Sequence, residues 1–361
     1  MANKMLSAAK AAKNDEFYTQ YPDIQKEINA YLDYDPNVFR DKTVLLPCDD
    51  PDWSKFTQFF AENFELLGLK KLISTSYAPA SKKYKTTTQP TLSETSQPHY
   101  SEEKSEKHGK IYILTHDVTG DKRIDIEDLQ WQYLDEDGDF DGEEVRALRD
   151  EADIIVTNPP FSLFRKFVAW IMEADKKFII IGNMNAVSYK EIFPLLKNNE
   201  MWLGVTNGAK EYIKPDGGMM KMGNTCWFTN IDHGRRHQPL RLMTMSENLK
   251  HSKHKEIRGR NDYIHYENYD AIEVPYTDAI PSDYEGAMGV PITFLDKYCP
   301  EQFEIIGHPH GDYGLELGLK PFPRELKSQN KGLRDGDLYY LMDGVPKLPY
   351  RRILIRKKQS K

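Results

Sequence analysis

The stretch that decides the reading is Asp153-Ile154-Ile155-Val156-Thr157-Asn158-Pro159-Pro160-Phe161. Its hydrophobic run, Asp153 to Val156, has the length and β-branched content of a buried strand. Pro159 and Pro160 then remove two N–H donors and fix φ, so the backbone stops pairing and holds one rigid turn. A helix is predicted from Ser162 to about Ala174. The turn leaves the Asn158 side-chain oxygen and a proline carbonyl as acceptors at the C-terminal edge of a sheet, where open α/β folds bind ligands. Two adjacent acceptors can grip an exocyclic NH₂, and Phe161 beside them can stack on a base. A plain strand-ending Asn-Pro turn has the same residues. Its place between strand and helix favours the functional reading.

Working outward, Thr43-Val44-Leu45-Leu46 reads as a first strand. After a turn over Pro47 to Pro51, Ser54 caps a helix carrying Phe56, Phe59, Phe60, Phe64 and Leu67 at three- and four-residue steps. Leu72-Ile73, Ile111 to Leu114 and Phe178 to Ile181 supply further strands, and Tyr189 to Leu196 a further helix. Strands alternating with helical patterns are the signature of a parallel α/β sheet. Between the second and third strands, residues 78–109 are polar and poor in aliphatics, as expected of a mobile insertion. Asn248 to Asn261 is a second polar stretch. Apolar character returns at Ala271 to Val274, Val290 to Leu295, Phe303 to Ile306 and Arg352 to Ile355.

Of the 361 residues, 39% are hydrophobic, enough for a substantial core. The formal net charge of −7 argues against a nucleic-acid partner at first sight. The average hides opposed regions. Asp117 to Asp153 holds 15 acidic and 4 basic residues, whereas His233 to Arg260 holds 8 basic and 2 acidic, and Lys347 to Lys361 holds 7 basic and none acidic. No apolar run approaches the ~20 residues that span a bilayer, and Met1 to Lys13 lacks the apolar core of a secretory signal. Cys48, Cys226 and Cys299 are odd in number and widely separated, which suits a reducing cytoplasm and gives no zinc spacing.

With Asp153 to Phe161 followed by Ser162-Leu163-Phe164, the chain resembles the amino-methyltransferases. More closely it resembles the EcoRI-type adenine-specific DNA methyltransferase family. Collinear segments carry the resemblance: Asn14-Asp15-Glu16-Phe17-Tyr18-Thr19-Gln20, Cys48-Asp49-Asp50-Pro51 with Ser54, and Gly138-Asp139-Phe140. They continue with Ile180-Ile181-Gly182-Asn183-Met184-Asn185-Ala186, Trp227-Phe228-Thr229-Asn230 and Pro291 to Tyr298, over residues 14–307 in one order.

The resemblance implies a Rossmann-like fold with a mostly parallel, doubly wound seven-strand sheet. Residues 14–230, with the polar insertion 78–109 sharing in target recognition, would form the catalytic domain, and residues 231–361 the DNA-contacting, target-recognition and C-terminal segments, partly packed on the catalytic sheet. It implies transfer of a methyl group from S-adenosylmethionine to N6 of a flipped-out adenine in double-stranded DNA, without a metal. The Asn158 side chain and Pro159 carbonyl would accept from the adenine amino group, Pro160 would stiffen their turn and Phe161 would stack on the base. Cys48 and Asp49 would bind the cofactor, Asp49 holding its amino-acid end. Asp139 and Phe140 would contact the cofactor's adenine, and Tyr18 and Thr19 match an N-terminal cofactor segment. Trp227 and Phe228 are candidates for a second wall of the base pocket, and Arg235, Arg236, Lys253 and Lys255 for DNA phosphates. The usual Gly-rich turn after the first strand is replaced by Pro47 to Pro51, a feature of the family. The acidic residue that would hold the ribose is absent from Ile73 to Tyr77.

A cognate restriction endonuclease encoded nearby is a partner that such enzymes can have; the residues carry no signature of it or of an oligomeric state. An Asn-Pro-Pro-aromatic turn also serves cytosine N4, RNA or protein-amide methylation. A non-catalytic alternative is a DNA-binding or calcium-responsive protein on the same scaffold, the latter suggested by the acidic run. Asp137 to Gly142 matches the first half of a calcium loop but has Leu148 at its twelfth place, and the near-match from Asp117 has Lys122 at the glycine position.

Overall fold

The computed structural model describes residues 18–47, 49–51, 54–78, 100–213, 218–329 and 333–359. They divide into two compact units. One runs to Ala186 and resumes over Met201–His233; the other comprises Val187–Glu200 and the chain from Gly234.

The first unit is built on a sheet with ten strands among the described residues: β1 (Tyr18–Thr19), β2 (Thr43–Leu46), β3 (Lys71–Ser76), β4 (Lys110–Leu114), β5 (Gln130–Tyr133), β6 (Ile154–Thr157), β7 (Lys177–Asn183), β8 (Trp202–Leu203), β9 (Gly208–Ile213) and β10 (Met219–Thr229). Their order is β1-β9-β10-β7-β6-β2-β3-β4-β5, with β8 also on β10. The adjacent strands β7, β6, β2 and β3 are parallel, with Leu45 beside Ile155 and Thr157 beside Ile180. Their C-terminal ends therefore share one edge. β2 and β6 are buried along their whole length, as strands covered on both faces must be.

The covering helices are α1 (Tyr21–Leu32), which buries Ile24, Ile28 and Tyr31, and α2 (Lys55–Glu62), capped by Ser54 as expected. Farther on, α3 is Glu102–Lys107, α4 Glu143–Glu151 and α5 Phe164–Glu173. Phe56 of α2 packs edge-on against Trp227 of β10, while Phe164 of α5 packs against the next residue, Phe228. Successive strand residues face opposite sides, so α2 and α5 cover opposite faces.

The sheet is mixed rather than mostly parallel. β4 returns antiparallel to β3, and β5 antiparallel to β4; β10 is antiparallel to β7 and β9. A parallel return from β3 needs a crossover element with an apolar face. The described helix on that connection, α3, buries no residue, so β4 re-enters from the edge at which β3 ends. Residues 79–99 of the expected insertion lie outside the described residues.

In the second unit, a four-stranded sheet runs β11 (Ala271–Glu273), β12 (Ala287–Pro291), β16 (Arg352–Lys357), β13 (Phe303–Gly307), and a hairpin pairs β14 (Tyr340–Met342) with β15 (Val345–Lys347). The apolar runs at Ala271, Phe303 and Arg352 supply β11, β13 and β16, whereas Val290 to Leu295 gives only the end of β12 before a 3-10 turn over Ile292–Lys297. The helix expected over Tyr189 to Leu196 is shortened to Phe193–Lys197, where Pro194 fits the first turn. Among the described residues no helix is long and apolar enough to cross a membrane.

Candidate active site

Asp49 follows β2 and is held from three elements. The Ser54 hydroxyl donates to its Oδ1 at 2.6 Å, and the Thr157 hydroxyl at the end of β6 donates to its Oδ2. Its main-chain carbonyl accepts from Thr57 of α2 at 2.7 Å and from Ser74 of β3. Burial pushes the carboxyl up to about 7, against the opposing pull of the Ser54 and Thr157 hydroxyls. Sequence reading found Asp49 and Ser54 but missed Thr57, Ser74 and Thr157. Their one signal is a hydroxyl set within or at the end of an apolar run. Cys48 lies outside the described residues.

Thr157 ties Asp49 to the catalytic candidate, because Asn158 is the next residue. Asn158 and Pro160 are half-buried and Pro159 is buried. The Leu163 N–H donates to the Pro160 carbonyl at 2.9 Å, closing the turn into α5. Phe161 is buried in the main core cluster with Val156 and Ile181, so its ring is held by packing.

A third segment reaches the same edge. The Ala78 N–H donates to the Asp137 carbonyl at 2.7 Å, just beyond β3. Gly138 has φ 81°, and a Cβ there would lie 2.3 Å from the Ser76 carbonyl oxygen, so only glycine fits this approach. Asp139 is thereby set half-buried beyond β3, its Oδ1 accepting from the Asp141 N–H at 2.9 Å. Phe140 turns away into the α5 face, 5.1 Å from Phe167 and 5.6 Å from Trp170. In this structure its ring is packed as core.

Thr19 lies on β1, opposite Tyr212 of β9, with α2 packed against that strand. Its hydroxyl is buried and has no hydrogen-bond partner among the described residues. Tyr18 is placed through its backbone, opposite Ile213; its side chain lies outside the described part. Trp227 and Phe228 are fully buried within β10. In this conformation neither ring has accessible surface. Alternation along β10 puts one against α2 and the other against α5, and a local sequence pattern does not reveal that both faces are covered.

Two buried charges in this unit carry no sequence signal. Glu27 of α1 accepts from the Val205 and Thr206 N–H groups at 2.8 and 2.6 Å, from the Thr206 hydroxyl and from Tyr31. Lys210 of β9 is buried 3.8 Å from Asp23, and burial pulls its pKa down. The acidic loops spend carboxylates on their own amides: Asp128 accepts from Val118, Thr119 and Asp125, and Asp117 from Lys122. Among the described residues no group of three or more His, Cys, Asp or Glu is arranged to hold a metal.

The basic candidates belong to the second unit. Arg235 pairs with Asp296, Arg236 donates to the Asn199 side chain at 2.8 Å, and Lys253 pairs with Asp278 at 2.7 Å. Lys255 is exposed. His254 also bonds Asp278 and stacks on Tyr276 with ring centroids 3.6 Å apart, which pins this stretch.

The profile of the family described as adenine-specific methyltransferase EcoRI matches residues 5–358. The type II methyltransferase M.EcoRI of Escherichia coli is 39% identical over 334 residues, 88% of this chain and 93% of that protein. The type II methyltransferase M.MpnI of Mycoplasma pneumoniae is 34% identical over 316 residues, 82% of this chain and 83% of that protein. No solved structure matches the chain. With the Asn-Pro-Pro-Phe turn at the sheet edge and a family match over nearly its whole length, the chain belongs to the EcoRI family of adenine-specific methyltransferases.

Proposed function

We propose that this enzyme methylates N6 of adenine in double-stranded DNA, using S-adenosylmethionine and a base flipped out of the duplex. The observation that carries the reading is the hydroxyl link from Thr157 to Asp49, which sets a buried carboxylate one residue from Asn158. We read β4-β3-β2-β6-β7-β10-β9 as its seven-strand methyltransferase core.

The residues fit the cofactor. Asp49 is a buried carboxylate suited to an α-ammonium group, Asp139 stands beyond β3, and Thr19 brings a buried hydroxyl without a partner among the described residues. Bound there, S-adenosylmethionine supplies an activated sulfonium methyl group. The chain's own work is positional. The Asn158 and Pro159 oxygens accept from the adenine amino group and draw its lone pair out of conjugation with the ring, and Phe161 supports the base. Positioning of this kind is worth up to about 7–11 kcal/mol. Arg235, Arg236, Lys253 and Lys255, with the rest of residues 231–361, contact the duplex. Cytoplasmic DNA is the substrate, in a compartment that keeps the buried Cys226 and Cys299 reduced. A cognate endonuclease encoded nearby would make the pair a restriction–modification system.

Purified enzyme, labelled S-adenosylmethionine and plasmid DNA, followed by nucleoside mass spectrometry, test the reading. N6-methyladenine is expected; N4-methylcytosine, or label in RNA or protein alone, would overturn it.

A further inference from the structure

The hairpin β14–β15 is a sheet of its own, separate from the four strands of its unit. Asp343 and Gly344 at its turn have φ of 52° and 76°, the left-handed geometry that closes two-residue hairpins. Tyr340 anchors the root, packing against Tyr266 at 6.3 Å in the second unit's core. Beyond the root the ribbon turns apolar carbon outward. Leu341, Val345, Leu348 and Tyr350 are 42, 52, 43 and 73% exposed, four of the ten large hydrophobic side chains exposed among the described residues. By the register, Leu341 shares one face of the ribbon with Pro346 and Val345 the other with Lys347, so the ribbon offers apolar carbon to a partner on both faces.

Charge selects the partner. Of the six Lys or Arg from Leu338 to Lys358, Lys347, Arg351 and Lys358 are exposed, whereas Arg352 is half-buried against Glu273 and Arg356 pairs with Glu304; Asp343 is the sole acid of the stretch. Lys347 stands opposite Tyr340 on the ribbon itself and is exposed. Basic groups around exposed aliphatic carbon suit a polyanion that also offers apolar contacts. Leucine and valine cannot hydrogen-bond to base edges. The apolar feature of a B-form base edge is the thymine methyl, in the major groove, and that groove admits a two-stranded ribbon.

We propose that this hairpin, with Leu348 and Tyr350, enters the major groove and reads thymine methyl groups, making it a specificity-determining element. The assignment rests on duplex DNA being the substrate. To test it, the methylated site is first mapped by single-molecule sequencing. Duplexes are then made with each thymine in turn replaced by deoxyuridine, which removes only the methyl. The wild-type enzyme should lose about tenfold in kcat/KM at one or more positions. Leu341→Ala/Leu348→Ala should lose about the same factor on the thymine duplex and treat the two bases alike, with unchanged melting temperature and cofactor affinity. A wild-type enzyme that methylates DNA but is indifferent at every thymine overturns the hairpin assignment alone. A double variant that keeps the discrimination overturns it too. In that last case, loss of self-association or of binding to anionic vesicles would reassign the ribbon to a second copy or a lipid surface. An enzyme that methylates no duplex removes the DNA reading and this inference together.

Discussion

Two sets of polar side chains invite comparison: those around Asp49 in the first unit, and the cations between Arg235 and Arg260 in the second. Around Asp49 four hydroxyls come from three elements, with Ser54 and Thr57 at α2, Ser74 on β3 and Thr157 on β6. All are buried, so the fold fixes their geometry in advance, and moving one element would break several bonds. The cations lie nearer the surface: Lys253 is exposed and pairs with Asp278, while Arg235 is half-buried and pairs with Asp296. Exposed pairs of this kind contribute about 0–1 kcal/mol and weaken with salt. The first set is rigid and fixed in advance, and the second is adjustable and salt-sensitive.

The comparison breaks most readily at Asn158. Asn158→Ala should lower methyl transfer by roughly 10²–10³-fold while cofactor affinity stays within a few fold. Labelled-methyl incorporation and calorimetry check the two halves, and activity near wild type would remove the acceptor role.

Next comes Asp49. Its folded pKa, about 7, lies above its ordinary 3.8. Between those values the folded protein without cofactor holds a proton that the unfolded chain has lost. Its stability contribution is therefore full below about 4 and falls as pH rises to 7, by up to about 1.4 kcal/mol per unit. Cofactor affinity has the opposite slope, because an ammonium group needs the carboxylate. It should rise up to tenfold per unit towards pH 7 and then level off. Asp49→Asn should flatten both profiles and bind cofactor weakly across the range. Titration calorimetry and thermal melts from pH 5 to pH 8 measure this, and an unchanged slope in the variant would exclude Asp49 as the titrating group.

Glu27 sharpens the contrast in stability rather than rate. Glu27→Ala leaves the Val205 and Thr206 amides without their buried acceptor and should cost about 2–5 kcal/mol in urea unfolding. Lys255→Ala should cost no more than about 0.5 kcal/mol. On DNA, Lys255→Ala gives the smallest effect: a few-fold weaker binding, with the logarithmic salt slope reduced by about 0.9. Arg235→Ala should combine that flattening with a small loss of stability from Asp296. An unchanged salt slope in both variants would move the DNA surface away from this stretch.

Much of the central fold was legible because its signals are local. Runs such as Thr43 to Leu46 and Asp153 to Val156, followed by capped amphipathic helices, admit few readings other than strand and crossover. The Asn158 to Phe161 turn was legible for the same reason, since two prolines after a buried strand leave the backbone little choice. The direction of β4 was not, because it depends on whether the preceding connection can cover the sheet. Nor were the places of Trp227, Phe228 and Phe140. An aromatic residue looks the same in sequence whether its ring meets a base or another ring.

By itself the sequence determined the parallel core, the Asn-Pro-Pro-Phe turn, the family and the opposed charges along the chain. Each is written in neighbouring residues or in their collinear order. Only the tertiary structure decided what joins Asp49 to Asn158, which contact spans 108 positions from Asp49 to Thr157. It also decided that Glu27 and Lys210 are buried, and that the apolar residues of β14–β15 are not. Burial depends on which elements meet, and a single strand or helix does not carry that information.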